Sequence, residues 1–158
     1  IYETTSRTSE YVCKYKESGD HTIAILGDYP SPQFSGNSAI VAIKQWGDIV
    51  WKSMAFAFYN TPNLKTIETD IGPDLSNVKS LEFMFAKMNN FNADLSQWDV
   101  SNVTTMEGMF YYAHKFNSDL SGWNTSSVTN MRYMFLHADA FNSDISNWDV
   151  SNVTNMSL

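Results

Sequence analysis

The sequence predicts an α/β solenoid of about four turns behind an N-terminal β-hairpin, and three observations predict it. From position 91 the chain repeats with a period of 25 residues. Each repeat joins a stretch with helix-like apolar spacing to one that reads as extended. The first 45 residues lack the repeat and carry two β-rich runs around a turn.

Elements follow in chain order. Tyr11–Tyr15 and Thr22–Leu26, separated by Ser18-Gly19-Asp20, read as a β-hairpin, and Pro30 and Pro32 end the second strand. Residues 1–45 form an N-terminal cap in this reading, because a solenoid's first turn has an open apolar end. Residues 46–158 supply the turns. Phe91 recurs as Phe116 and Phe141, Trp98 as Trp123 and Trp148, Val103 as Val128 and Val153, and Met109-Phe110 as Met134-Phe135. Between 91–115 and 116–140, 13 of 25 positions are identical, too many for shared composition alone. Earlier turns are irregular: Leu81, Met84 and Phe85 match Met106, Met109 and Phe110, and Trp46, Trp51, Met54, Phe58 and Leu64 keep the same phase. The last turn is incomplete, ending at Leu158 before its Met-Phe pair.

Within a turn, Val103, Met106, Met109, Phe110 and Ala113 step by three and four, which predicts a short helix. Asn102 or Thr104 would cap it, with Glu107 at capping-box spacing from Thr104. Phe91–Trp98 mixes apolar and small polar residues and predicts a short extended segment bounded by turns.

The strings FNADLSQWDVSNVTTMEGMF (91–110), FNSDLSGWNTSSVTNMRYMF (116–135) and FNSDISNWDVSNVTNM (141–156) resemble the BspA-type leucine-rich-repeat surface proteins. The resemblance covers about 46–158 and is strongest from 91. It implies a right-handed, leucine-rich-repeat-like solenoid, secreted or held at the cell surface and associated with adhesion. That family has no common ligand or catalytic set, so the resemblance assigns no functional residue.

Composition narrows the function classes. The 158 residues are 43% hydrophobic and 15% aromatic, enough for a packed core. Seventeen acidic residues against ten Lys and Arg give a net charge of −7, and the scattered cations form no patch, which argues against nucleic acid. No apolar run is long enough for a membrane span. The lone Cys13 reads as a half-buried strand residue rather than a disulfide or zinc ligand. His21, His114 and His137 have no nucleophile beside them, and no catalytic motif occurs, so neither enzyme activity nor a cofactor is expected.

Asp94, Asp119 and Asp144 hold one place in successive turns. Their mutual repulsion must be offset by hydrogen bonds from flanking Ser96, Ser121 and Ser146 and nearby backbone, or by cations, which makes these three the weak metal candidates. Hydrogen bonding is the favoured reading. Asp99 and Asp149 flank Asn124 in a second column, where a neutral member suits a turn better than a metal. Trp98, Trp123 and Trp148 read as a core column, with an exposed ladder for sugars as the alternative. Asn102, Asn124, Asn152 and Asn155 each begin a glycosylation triplet, largely a by-product of the repeat.

Positions that vary between turns are free to specialise. Tyr111, Tyr112, His114 and Lys115, facing His137 and Asp139 in the next turn, together with Gln97 and Asn147, predict a polar and aromatic interaction surface. The functional expectation is a non-catalytic extracellular adhesion or protein-interaction module that binds a host, matrix or cell-surface macromolecule. The alternative is a structural subunit that joins copies of itself end to end: Phe141, Ile145, Trp148, Val150, Val153 and Met156 should leave an apolar outer face, expected to meet a further repeat beyond Leu158 first, another copy second, or a cap formed by the last residues.

Overall fold

A computed structural model describes residues 31–32 and 34–158. The expected hairpin, Cys13 and His21 lie outside the described residues. A 25-residue repeat is too short to bury its own apolar face, so equivalent side chains stack on their counterparts in the next repeat. One column runs Phe34, Phe58, Phe85, Phe110, Phe135, with ring centroids 5.4, 5.8, 6.1 and 5.6 Å apart. A second runs Phe91, Phe116, Phe141 at 6.1 Å per step, with planes within 6° of parallel. Within a repeat the two columns meet face to face: Phe110 lies 3.8 Å from Phe116 and Phe135 lies 3.9 Å from Phe141. Met54, Leu81, Met84, Met106, Met109, Met131 and Met134 fill in beside them, all buried. Each fully buried Phe or Met contributes roughly 1.5–3 kcal/mol.

The α/β leucine-rich-repeat-like solenoid is overturned: among the described residues there is no helix, and the one sheet has two short parallel strands. These are β1, Ala42–Ile43, and β2, Thr66–Ile67, in register Ala42 with Thr66 and Ile43 with Ile67. Beyond them the described residues hold isolated parallel bridges between repeats, from Ser80 to Thr105, Thr105 to Asn130 and Asn130 to Asn155.

The helix fails because its amides are used elsewhere. Met106, Gly108, Phe110 and Tyr112 donate their N–H groups to carbonyls of Asn130, Arg132, Met134 and Leu136 in the next repeat. The interleaved Met109, Tyr111 and Ala113 donate three residues back, to Met106, Gly108 and Phe110. An α-helix needs every one of these donors for i→i−4 bonds; here alternate donors tie repeats together. The result is a run of overlapping tight turns, alternate ones of which have a left-handed third residue. Two columns carry that conformation: Phe56, Phe83, Gly108 and Tyr133 (φ 57°, 48°, 57°, 57°), and Gly36, Asn60, Lys87, Tyr112 and His137 (φ 72°, 51°, 58°, 56°, 61°). At Gly108 a Cβ would lie 2.2 Å from the Phe83 ring, so any side chain there would have to displace that ring.

The expected caps have other roles. Thr104 donates its hydroxyl to the Lys79 carbonyl, and Thr129 and Thr154 repeat this on Thr104 and Thr129, each at 3.1 Å. Glu107 accepts from Asn130 Nδ2 at 2.8 Å. Phe91–Trp98 forms no strand; it ends in a turn closed by the Trp98 N–H on the Leu95 carbonyl, repeated by Trp123 on Leu120 and Trp148 on Ile145. In the last repeat Val150, Met156 and Leu158 are exposed, while Phe141, Ile145 and Val153 are half-buried.

Candidate interaction surface

The left-handed turns decide what reaches the surface. Side chains at these positions leave the stack next to the half-buried residues that follow them, so rings of successive repeats meet outside the core. Tyr59 and Phe56 lie 5.8 Å apart, Phe56 and Phe83 5.3 Å, Phe83 and Tyr111 6.0 Å, and Tyr111 and Tyr133 6.3 Å. Tyr112 joins this line 4.5 Å from Tyr111 and 4.3 Å from His137. The rings form one unbroken ridge across four repeats, half-buried at most members and 41% exposed at Phe56.

Charged groups border the ridge. Lys87 Nζ stands 5.3 Å from the Tyr59 ring centre, and the Arg132 guanidinium 4.2 Å from that of Tyr133. Tyr59, through hydrogen bonding first and charge second, raises the pKa of Lys87 and so favours its cationic form. Loss of hydration, ahead of its Tyr112 neighbour, raises that of Tyr111 and keeps its phenol protonated. His114 Nδ1 meets Asp139 Oδ2 at 2.6 Å across one repeat.

Of the surface expected from sequence, Tyr111, Tyr112, His114, His137 and Asp139 therefore come together, with Lys115 exposed beside His114 in the chain. Gln97 and Asn147 are exposed on the Asp-Ser turns instead, and Gln97 Nε2 donates to Ser96 Oγ. Sequence reasoning missed Phe56, Tyr59, Phe83, Arg132 and Tyr133. A signal was present, since the position before the second Met of each repeat reads Phe83, Gly108, Tyr133, an alternation no core position would tolerate.

The aspartate column is a turn device. Asp94, Asp119 and Asp144 each accept the N–H of the serine two residues on, at 2.8, 2.9 and 2.9 Å. Asp74, Asp99 and Asp149 do the same, and so does Asn124 through its amide oxygen. Hydrogen bonds from Ser121 and Ser146, backbone first, lower the pKa of Asp119 and Asp144; those from Ser76, Ser101 and Ser151, side chain first, lower Asp74, Asp99 and Asp149. Among the described residues no three His, Cys, Asp or Glu side chains are disposed to hold a metal ion.

Trp98, Trp123 and Trp148 are buried, at 5, 3 and 9% exposure, which removes their faces from any sugar. Trp123 and Trp148 donate Nε1 to the carbonyls of Leu95 and Leu120 at 3.0 and 2.9 Å. Pro73 stands at the equivalent place one repeat earlier, and beside it opens a shallow cleft of about 260 Å³ lined by Thr69, Asp70, Gly72, Asp94, Gln97 and Trp98. Of the glycosylation triplets, Asn102 and Asn124 are exposed, Asn152 donates Nδ2 to the Ser126 carbonyl, and Asn155 accepts from Ser157. No helix among the described residues is long and apolar enough to cross a membrane.

A family model described as "Mycoplasma protein of unknown function, DUF285" matches residues 52–158, about two thirds of the chain, and the chain belongs to that family. No curated protein and no solved structure matches it.

Proposed function

We propose that this DUF285 chain is a non-catalytic adhesion or protein-interaction module, displayed outside the cell, whose contact surface is the aromatic ridge. One observation carries the reading. A left-handed backbone costs most residues about 1–2 kcal/mol, and glycine avoids that cost. Gly36, Asn60 and Gly108 satisfy the preference, yet Phe56, Phe83, Lys87, Tyr112, Tyr133 and His137 do not. Strain of this kind is retained where the side chain has work to do. Those side chains build or border the ridge rather than the core, so their work is at the surface. Tyrosine suits it, supplying large contact area with few rotamers to freeze. The likeness of 91–156 to BspA-type surface repeats supports the same assignment, as does the freedom of these positions to differ between repeats.

The test separates binding from folding. Beads coated with the chain are expected to attach to cultured host cells or extracellular-matrix films above albumin-coated beads. Tyr112→Gly combined with Tyr133→Gly removes two rings while relieving two left-handed residues, so attachment should fall while the melting temperature holds. Attachment equal to albumin, or undiminished in the glycine variant, would refute the assignment.

A further inference from the structure

We propose that the cleft beside Trp98 binds an extended basic segment of a partner protein: a main-chain carbonyl of that segment takes the Trp98 indole N–H, and its Lys or Arg side chains meet Asp70 and Asp94. The site shares no residue with the aromatic ridge and goes beyond that reading. An unfilled place in the repeat is the first support. Trp123 and Trp148 each donate Nε1 to the carbonyl 28 residues back, Leu95 and Leu120. Asp70 stands at that interval before Trp98, in the irregular repeat, and its carbonyl receives no such bond. Trp98 is 5% exposed, yet its Nε1 has no acceptor among the described residues. Unlike the sealed nitrogens of Trp46 and Trp51, it is open to the cleft. A Cβ on Gly72 would lie 2.9 Å from Trp98 Cδ1, the carbon bonded to Nε1, so the donor edge of the indole faces the glycine that lines the cleft with it. A nearly buried donor gains most from an acceptor brought to it. Elsewhere in the chain that acceptor is a main-chain carbonyl, which makes a peptide the matching ligand.

Charge is the second support. Asp70 and Asp94 line the cleft, and Gly72 and Gln97 also line a second opening of about 430 Å³ that adds Asp48, Asp74 and Asp99. No Lys, Arg or His among the described residues lines either one. Asp94 spends Oδ1 on the Ser96 N–H, and Asp74 and Asp99 bond Ser76 and Ser101 in the same way, so their charges stay uncompensated by any cation. A concavity lined by one sign of charge concentrates the opposite sign. No three of these carboxylates are disposed to hold a metal ion. Trp46 meets Trp98 edge-on at 5.6 Å, and the buried indole offers no open face for a sugar ring. A basic peptide satisfies both halves of the site: its carbonyl answers the lone donor and its cations answer the carboxylates. Ile71, 79% exposed at the rim, adds an apolar contact between them.

Fluorescence anisotropy of a short labelled Lys-Val-Lys-Val-Lys peptide against the 158-residue chain tests this, with a Gln-for-Lys counterpart, spermine and a neutral β-linked oligosaccharide as competitors. Binding of the basic peptide should weaken with salt. It should be at least about tenfold tighter than that of the Gln counterpart, the value of one charge-assisted contact. In the ¹H–¹⁵N spectrum the Trp98 indole resonance, identified by its loss in Trp98→Phe, should move downfield on adding the peptide and stay in place on adding spermine, which has no carbonyl. Asp70→Asn with Asp94→Asn should lose about tenfold in affinity at unchanged melting temperature, since Asn124 shows that an amide holds such a turn. Tyr112→Gly/Tyr133→Gly should bind the peptide as the parent does. No binding, equal binding of the Gln counterpart, an unmoved Trp98 resonance, preferential displacement by the oligosaccharide, or loss of binding in the glycine pair would overturn the proposal while leaving bead attachment to decide the ridge. The peptide series and the indole resonance on the parent chain decide even if the Asn variant misfolds.

Discussion

Residues 91–148 and residues 46–78 follow one plan with unequal success, and the contrast shows what strict periodicity contributes. In the regular part, equal spacing carries the buried indoles of Trp123 and Trp148 to a backbone carbonyl of the preceding repeat, at Leu95 and Leu120. In the earlier part, Leu64 to Val78 is two residues longer than Phe91 to Val103, and Pro73 takes the Trp position. Trp46 then meets Trp98 edge-on at 5.6 Å, and the buried Nε1 atoms of Trp46 and Trp51 find no acceptor among the described residues. The apolar columns survive the irregularity, since Phe58 still stacks on Phe85 at 5.8 Å. Stacking tolerates a shift of phase; directional bonds do not.

Four sets of substitutions sharpen this contrast. The largest effect belongs to a column both regions share: Phe110→Ala removes a fully buried ring and is expected to cost about 3–5 kcal/mol in urea unfolding. A loss below about 1 kcal/mol would mean that the column does not hold the repeats together. Next comes Gly108→Ala, at about 1–2 kcal/mol for the left-handed backbone, in addition to displacing the Phe83 ring. Combined with Phe83→Ala it should cost less than the sum of the two. The Trp pair follows. Trp123→Phe removes one of the two bonds to the Leu95 carbonyl, which keeps the Trp98 N–H, and should cost about 0.5–1.5 kcal/mol more than Trp46→Phe, which deletes a donor with no partner among the described residues. Equal costs would erase the distinction between the regions.

The smallest effect is electrostatic. Asp119 and Asp144 are stabilised as carboxylates by Ser121 and Ser146, so their folded pKa values lie below the ordinary 3.8. Their contribution is therefore complete above that value and disappears as pH falls through the lower folded one. Asn124 shows that an amide can hold the same turn. Asp119→Asn with Asp144→Asn should leave the melting temperature near neutrality unchanged and flatten its decline below about pH 4. A decline as steep as the parent's would show that these turns are not acid-sensitive.

The period, the Phe and Met columns and the buried Trp positions were legible because a repeat writes its packing several times over. The secondary structure was not. Apolar steps of three and four at Met106, Met109, Phe110 and Ala113 suit successive three-residue-back turns as well as a helix, and periodicity alone does not say where alternate amides go. Left-handed positions were hidden for a related reason: only Asn60 and Gly108 in the repeats carry the expected residue type, while Tyr112 and Tyr133 are held there by bonds to Leu136 and Ser157 of the next repeat. Half of the ridge was visible as Tyr111, Tyr112 and His137. Phe56, Phe83 and Tyr133 were lost in a stretch assigned to a helix.

The bonds from Met106, Gly108, Phe110 and Tyr112 to the following repeat also fix how the molecule meets force. They run from one repeat to the next, so tension applied between the two ends of the stack loads the interfaces in series, and the weakest opens first. Each repeat that peels away frees roughly 80–90 Å of chain while the others stay closed. Pulled from its two ends, a stack of this design is expected to lengthen stepwise and to reseal as the load drops, instead of failing all at once.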